Sequence, residues 1–351
     1  MPFAFDKASA LVQLRTITVA ALGGMLMHFL HVPLAWMIGA MIGAALLSWY
    51  LPVDMPRWAR PTGLVALGLA FGQTFSGPVL AAVSGALPVL AVAGLLAIGS
   101  GLAVTRLFTK LAGTDSRTGF FCAVPGGILV MAVLAQEAKA SVATVTLAQT
   151  MRVLVVVLTF PPLLGWLAPH GHDAEFMAVP PPFWLPGLLG MAAAGLGLAW
   201  VLGRFGLANP WMLGPCFLGI GMAVLGWQLP SGVPGPLVDA GQVAMGGTLG
   251  MRLTRSFLLS SQRLAIASVL SSAALSLLLA VLAVLLSWAS GLPVVALVLG
   301  MAPGGMPEMA LTAKVLEFAV PLVLGFHLTR TVMCNLLVGP LYRLGLRMGW
   351  L

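Results

Sequence analysis

Apolar stretches long enough to cross about 30 Å of hydrocarbon follow one another from near the start of this chain to near its end, and nothing else constrains the fold as tightly. No polar stretch between them is long enough to hold an extramembrane domain. The composition agrees. Of 351 residues, 60% are hydrophobic and 7% charged, where a soluble domain carries about a quarter charged residues. The expected fold class is therefore an all-α polytopic membrane protein, with the lipid bilayer as its main partner. The formal net charge of +8 does not point to nucleic acid, because the lysines and arginines stand singly or in twos and threes beside apolar segments. They read as topology signals. Cys122, Cys216 and Cys334 each lie inside an apolar run, without a CxxC pair, so neither disulfides nor a cysteine metal site is expected. The first apolar segment follows Lys7 and Arg15 and superficially resembles a signal peptide; its equivalent recurs in the second half, so it reads as a retained helix. Many of the 25 prolines and 42 glycines fall within apolar runs, where membrane helices tolerate them if neighbours re-satisfy the freed backbone groups.

The chain repeats itself. Trp36-Met37-x-Gly39 matches Trp211-Met212-x-Gly214 at an offset of 175, and beyond a small insertion the offset is 178. At that spacing Gly68 and Gly72 pair with Gly246 and Gly250, and Pro125-Gly126-Gly127 with Pro303-Gly304-Gly305. Arg152 pairs with Arg330, and Pro162 with Pro340. The sequence thus divides into a first membrane repeat (1–168), a connecting loop (169–184) and a second repeat (185–351). Each repeat holds six apolar segments, about 16–31, 33–51, 62–83, 85–108, 118–136 and 141–167 in the first. The fifth is interrupted by Pro-Gly-Gly.

Charge decides between two topologies. If all twelve segments cross, nine basic residues lie inside and six outside. If the Pro-Gly-Gly segments enter and return on one side, fourteen lie inside and only Lys314 outside, with Arg152 and Arg330 within the membrane. Five crossings per repeat also make the halves antiparallel, the inverted repeat common among secondary transporters. The expectation is ten crossings plus two broken or re-entrant segments. Twelve spans in two parallel halves is the alternative.

Pro125, Gly126, Gly127 and their partners Pro303, Gly304 and Gly305 are candidate substrate-binding residues, because open backbone at membrane depth must line a cavity or be buried in protein. The alternative is a packing kink. Glu308 follows the second break and is either a proton or cation site or a carboxylate placed in a helix's first turn. Its counterpart is Val130, so any carboxylate role belongs to one half. Arg152 and Arg330 offer planar forks suited to carboxylate or phosphate, with Gln149 and His327 three residues earlier on the same helical faces. They face a solute, bond nearby carbonyls, or, in the case of one of them, pair with Glu308. His170, His172, Asp173 and Glu175 form a polar connector more readily than a metal site. His28 and His31 sit three apart at a helix end, where an interfacial position fits better than ligation. Gly68-x-x-x-Gly72 and Gly246-x-x-x-Gly250 read as helix-packing faces. Neither a Walker sequence nor a nucleophile elbow is present.

Taken together, Trp36-Met37-x-Gly39, the two Pro-Gly-Gly breaks, Glu308-Met309, His327 and Arg330 resemble the AbrB-type duplicated membrane-protein family, over about 16–346. That family also carries an ammonia monooxygenase label. The resemblance implies a bacterial inner-membrane protein, linked by name to regulation of gene expression and distinct from the small DNA-binding regulators of the same name. The histidines are too scattered for a copper or iron oxygenase. The leading expectation is a secondary transporter of a small anionic or polar solute, proton-coupled through Glu308, that is not an enzyme and needs no cofactor. Its partners are then the solute and the bilayer, not nucleic acid, and small-residue faces are compatible with a homodimer. A membrane regulator or sensor is the second expectation, and a membrane monooxygenase a remote third.

Overall fold

The computed structural model describes residues 7–168, 179–207, 209–255 and 262–349. Among them the chain is all-helical, with fourteen helices and no strand. Six helices are long and apolar enough to cross a membrane, so the protein is multi-pass. The helices gather into two compact units, each drawing on both sequence repeats: Met1–Leu80 with Ala174–Ser260, and Ala81–Asp173 with Ser261–Leu351.

The first unit holds α1 (Lys7–Phe29), α2 (Ala35–Ser48), α3 (Ala59–Gly72), α8 (Leu185–Arg204), α9 (Pro210–Val224) and α10 (Gly235–Gly250). Helix α1 lies on α2 and α8 on α9, while α3 packs on α9 and α10 on α2. Small residues allow those crossings. A Cβ at Gly68 would stand 2.2 Å from the Met212 carbonyl oxygen, and one at Gly246 would stand 2.1 Å from that of Met37. The two positions and their two targets are repeat equivalents, so one backbone contact is made twice. The glycine pairs read from the sequence as packing faces do pack.

The second unit holds α4 (Gly77–Ala112, entering from the first unit), α5 (Ser116–Ala123), α6 (Ile128–Glu137), α7 (Val142–Leu167), α11 (Gln262–Ser290), α12 (Val294–Met301), α13 (Met306–Val315) and α14 (Val320–Arg347). Helices α5 and α6 are the two halves of the first broken segment, and α12 and α13 those of the second. The bounds of α5 and α6 and the start of α7 recur in α12, α13 and α14 at a spacing of 178. The non-glycine left-handed residues after α6 and α13, Lys139 (φ 56°) and Glu317 (φ 58°), stand at the same spacing. Phe120, Phe121 and Tyr342 pack their rings 5.0–5.6 Å apart in the unit's core.

One boundary differs from the sequence reading. The third and fourth apolar segments were expected to part near 84, but α3 ends at Gly72 and α4 runs from Gly77 through Pro88. The chain turns where polar side chains replace helical bonds: Thr74 Oγ1 donates to the Phe71 carbonyl (2.7 Å), and Gln73 Oε1 accepts the Val233 N–H (3.0 Å). Proline alone does not end a helix in apolar surroundings. Helices α2 and α9, with 14 and 15 residues, are shorter than the roughly 20 that a span needs.

Candidate functional site

Each broken segment leaves backbone carbonyls that no helix can satisfy. Helix α5 starts at an Asp115 cap, whose carboxylate accepts the Thr118 N–H (3.1 Å), and stops at Ala123 because Pro125 has no N–H and forces the preceding residue into extended geometry. Helix α6 restarts after Gly127. Likewise α12 stops at Met301, Pro303-Gly304-Gly305 follows, and α13 begins at Met306. Orphan carbonyls at such depth need donors.

The last helix of each repeat supplies them. Arg152 on α7 donates Nη1–H to the Val124 carbonyl (3.3 Å) and Nη2–H to that of Gly126 (3.3 Å). Arg330 on α14 makes the matching pair, to Ala302 (2.6 Å) and Gly304 (3.0 Å). One turn earlier, Gln149 Nε2–H donates to Phe121 (2.7 Å) and Val124 (3.1 Å), and His327 Nε2 bonds the Leu299 carbonyl (3.1 Å). Every one of these partners except the second carbonyl of Gln149 recurs at 178. The imidazole has one tautomer open to it: Nε2 must carry the proton for Leu299, and Nδ1 must accept from Arg330 Nη2 (2.9 Å). The cation of each guanidinium also sits where a helix dipole is negative, at the ends of α5 and α12.

The two breaks also touch. Arg152 Nε–H donates across to the Pro303 carbonyl (2.9 Å), and Cys334 Sγ–H reaches the Pro125 carbonyl (3.0 Å). Arg152, Gln149, His327 and Glu308 are all buried, Arg152 to 4% exposure and Glu308 to 3%. Arg330 is half-buried. The breaks differ in access, since Gly127 is exposed whereas Pro303 and Gly304 are buried. Arg152 uses three of its five N–H groups on carbonyls, and Arg330 uses two on carbonyls and one on His327. Among the described residues each fork keeps two donors.

Glu308 stands in the first turn of α13, folded back so that a Cβ on Gly305 would meet its Oε2, and its backbone carbonyl accepts the Thr312 hydroxyl (2.8 Å). A carboxylate there complements the helix start.

The structure therefore brings Pro125, Gly126, Arg152, Pro303, Gly304, His327 and Arg330 into one hydrogen-bonded cluster, with Gly127, Gly305 and Glu308 at the adjoining helix starts. The arginines bond local carbonyls, one of the alternatives open at sequence level. The sequence reading missed Cys334, which carried no motif, and a serine face on α11, which was legible as Ser268-x-x-Ser271-Ser272 inside an apolar run. His170, Asp173 and their neighbours lie outside the described residues. His28 stacks on Trp36 with ring centroids 5.7 Å apart.

Residues 36–345 match the family described as "Transition state regulatory protein AbrB". A Bacillus subtilis (strain 168) relative, named "Uncharacterized protein YhjN", is 30% identical over 93% of this chain and 91% of its own length. A relative from Escherichia coli (strain K12), named "Putative regulator AbrB", is 27% identical over 45% of this chain and 46% of its own.

Proposed function

The chain belongs to the AbrB family, and we propose that this multi-pass membrane protein is a secondary transporter for a small anionic solute, located in a bacterial inner membrane. One observation carries the reading: two Pro-Gly-Gly breaks inside an apolar protein meet each other, each braced by a buried or half-buried arginine with donors to spare. Packing alone does not require such an arrangement. A kink can be filled with side chains, whereas here the backbone is held open by charged forks that cost free energy to bury.

The chemistry favours negative charge. Guanidinium N–H groups and the start of α6, which has no side-chain cap, offer hydrogen to a ligand, while the start of α13 already carries Glu308 in its first turn. Glu308 is the site proposed for a coupled proton, present in one half only. In this reading the repeats are inverted, with ten crossings and both breaks reaching a common depth.

The test is uptake of radiolabelled one- to six-carbon mono- and dicarboxylates by proteoliposomes holding the purified protein. Saturable uptake of at least one, reduced tenfold or more by Arg330→Ala, is the expected result. Uptake no greater than in empty liposomes across the panel, or no effect of Arg152→Ala and Arg330→Ala, overturns it. Glu308→Gln is expected to spare binding and abolish dependence on an imposed pH gradient. A regulatory role is the second reading, favoured by the names of the family and of the Escherichia coli relative.

A further inference from the structure

Beside Arg152 the second unit holds a partly open chamber of about 10 Å³, room for one water-sized group. Its polar wall is Arg152 and the α11 residues Ser268, Ser271 and Ser272; Cys122 and Ala148 help close it. All three serines are buried, to between 2% and 5% exposure. Ser268 spends its hydroxyl proton on the Leu264 carbonyl (2.7 Å). Ser271 Oγ is different, a buried hydroxyl with no hydrogen-bond partner among the described residues, and leaving such a group unsatisfied is costly. The serines stand at i, i+3 and i+4, so one face of α11 presents all of them.

Helix packing does not account for this face. The repeat equivalents on α4 are Leu90, Ala93 and Gly94, all without a hydroxyl. An apolar surface thus serves at the matched place in the same unit. The serine hydroxyls stand on the Arg152 side, where, among the described residues, two guanidinium donors also remain after the carbonyls of Val124, Gly126 and Pro303 are served.

We propose that this chamber is the anion-recognition subsite, receiving one oxygen of the solute's carboxylate against the spare N–H groups of Arg152 and the hydroxyl of Ser271. The inference rests on the transport reading and deepens it. Its size sets the ligand class: a single oxygen of a carboxylate fits, and an apolar group would leave the donors stranded. It also makes the site one-sided, so Arg152 and Arg330 have different duties. Arg152 reads the solute, while Arg330, with its neighbour His327, braces the second break.

The experiment titrates sodium formate into the purified full-length protein in detergent and follows its melting temperature, comparing wild type with Ser271→Ala and Ser271→Val. Formate should raise the melting temperature of wild type saturably; the apparent affinity should fall about tenfold in Ser271→Ala, and the response should vanish in Ser271→Val, whose methyl groups occupy the chamber. The smaller Ser271→Ala decides the matter should the valine variant fail to fold. An equal formate response in all three proteins, or none in wild type, overturns the subsite. Uptake separates the two levels. Unchanged KM in Ser271→Ala together with lost uptake in Arg152→Ala removes the chamber and leaves transport standing; unchanged uptake in both removes the chamber and the transport reading alike.

Discussion

Arg152 holds together two stretches of backbone from one side chain, through the carbonyls of Val124 and Gly126 in the first break and of Pro303 in the second. Removing it strands the Gly126 and Pro303 carbonyls, each at a cost of about 1–3 kcal/mol where it stays buried, while Val124 keeps its bond from Gln149 (3.1 Å). Arg152→Ala is therefore expected to melt well below wild type in detergent, and an unchanged melting temperature would mean that the carbonyls have other donors. His327 offers a cleaner case, because the repeat has already tested its replacement: Gln149 occupies the equivalent place and makes the equivalent bond to Phe121. His327→Gln should stay within about 1 kcal/mol of wild type, whereas His327→Leu loses both partners and should fall by about 1–3 kcal/mol. Equal losses in the two variants would contradict the tautomer and bonding assigned here. Residue identity at these positions was legible in the sequence as intramembrane charge. What each charge touches was not, because carbonyls carry no sequence signature.

At the scale of helices, close packing decides. Gly68→Ala places a methyl 2.2 Å from the Met212 carbonyl oxygen and must push α3 away from α9, an overpacking cost of about 1–3 kcal/mol. Gly197→Ala, in α8 with open space around it, should instead gain about 0.5–1 kcal/mol from helix propensity. Thermal melts of the two variants check the contrast. The cap on α5 adds a pH dependence. Burial alone would raise the Asp115 carboxyl, but hydrogen bonds from Thr118 outweigh it and hold the group below the usual carboxylate range. With its folded value depressed, Asp115 contributes stability that is present above about pH 4 and lost as pH falls through the folded value. Asp115→Asn keeps a capping oxygen that does not titrate, so its melting temperature should lose less than that of wild type between pH 5 and pH 3. The Pro-Gly-Gly breaks and the small-residue faces could be read in advance because proline and glycine act locally. The turn after Gly72 could not, since it depends on Gln73 meeting Val233 across 160 residues.

The whole molecule is an economy of duplication. The bounds of α5 and α6 and the arginine bonds to the carbonyls at 124/302 and 126/304 appear twice at 178 residues, and the proposed chemistry is placed where the pattern breaks: Glu308 against Val130, and the α11 serines against Leu90, Ala93 and Gly94. Repetition was visible in the sequence; the gathering of each compact unit from both repeats was not, because it is set by contacts such as Gly68 on Met212 and Gly246 on Met37. A central transport site requires the two broken segments to be inverted copies of each other in the bilayer. The direct measurement places single cysteines at Lys139 and Glu317, the exposed left-handed residues that end α6 and α13, in a protein lacking its native cysteines, and labels them with a membrane-impermeant thiol reagent. Labelling of position 139 from the cytoplasmic side only, and of position 317 from the outer side only, is the predicted result. Labelling of both from the same side would make the repeats parallel and contradict the account.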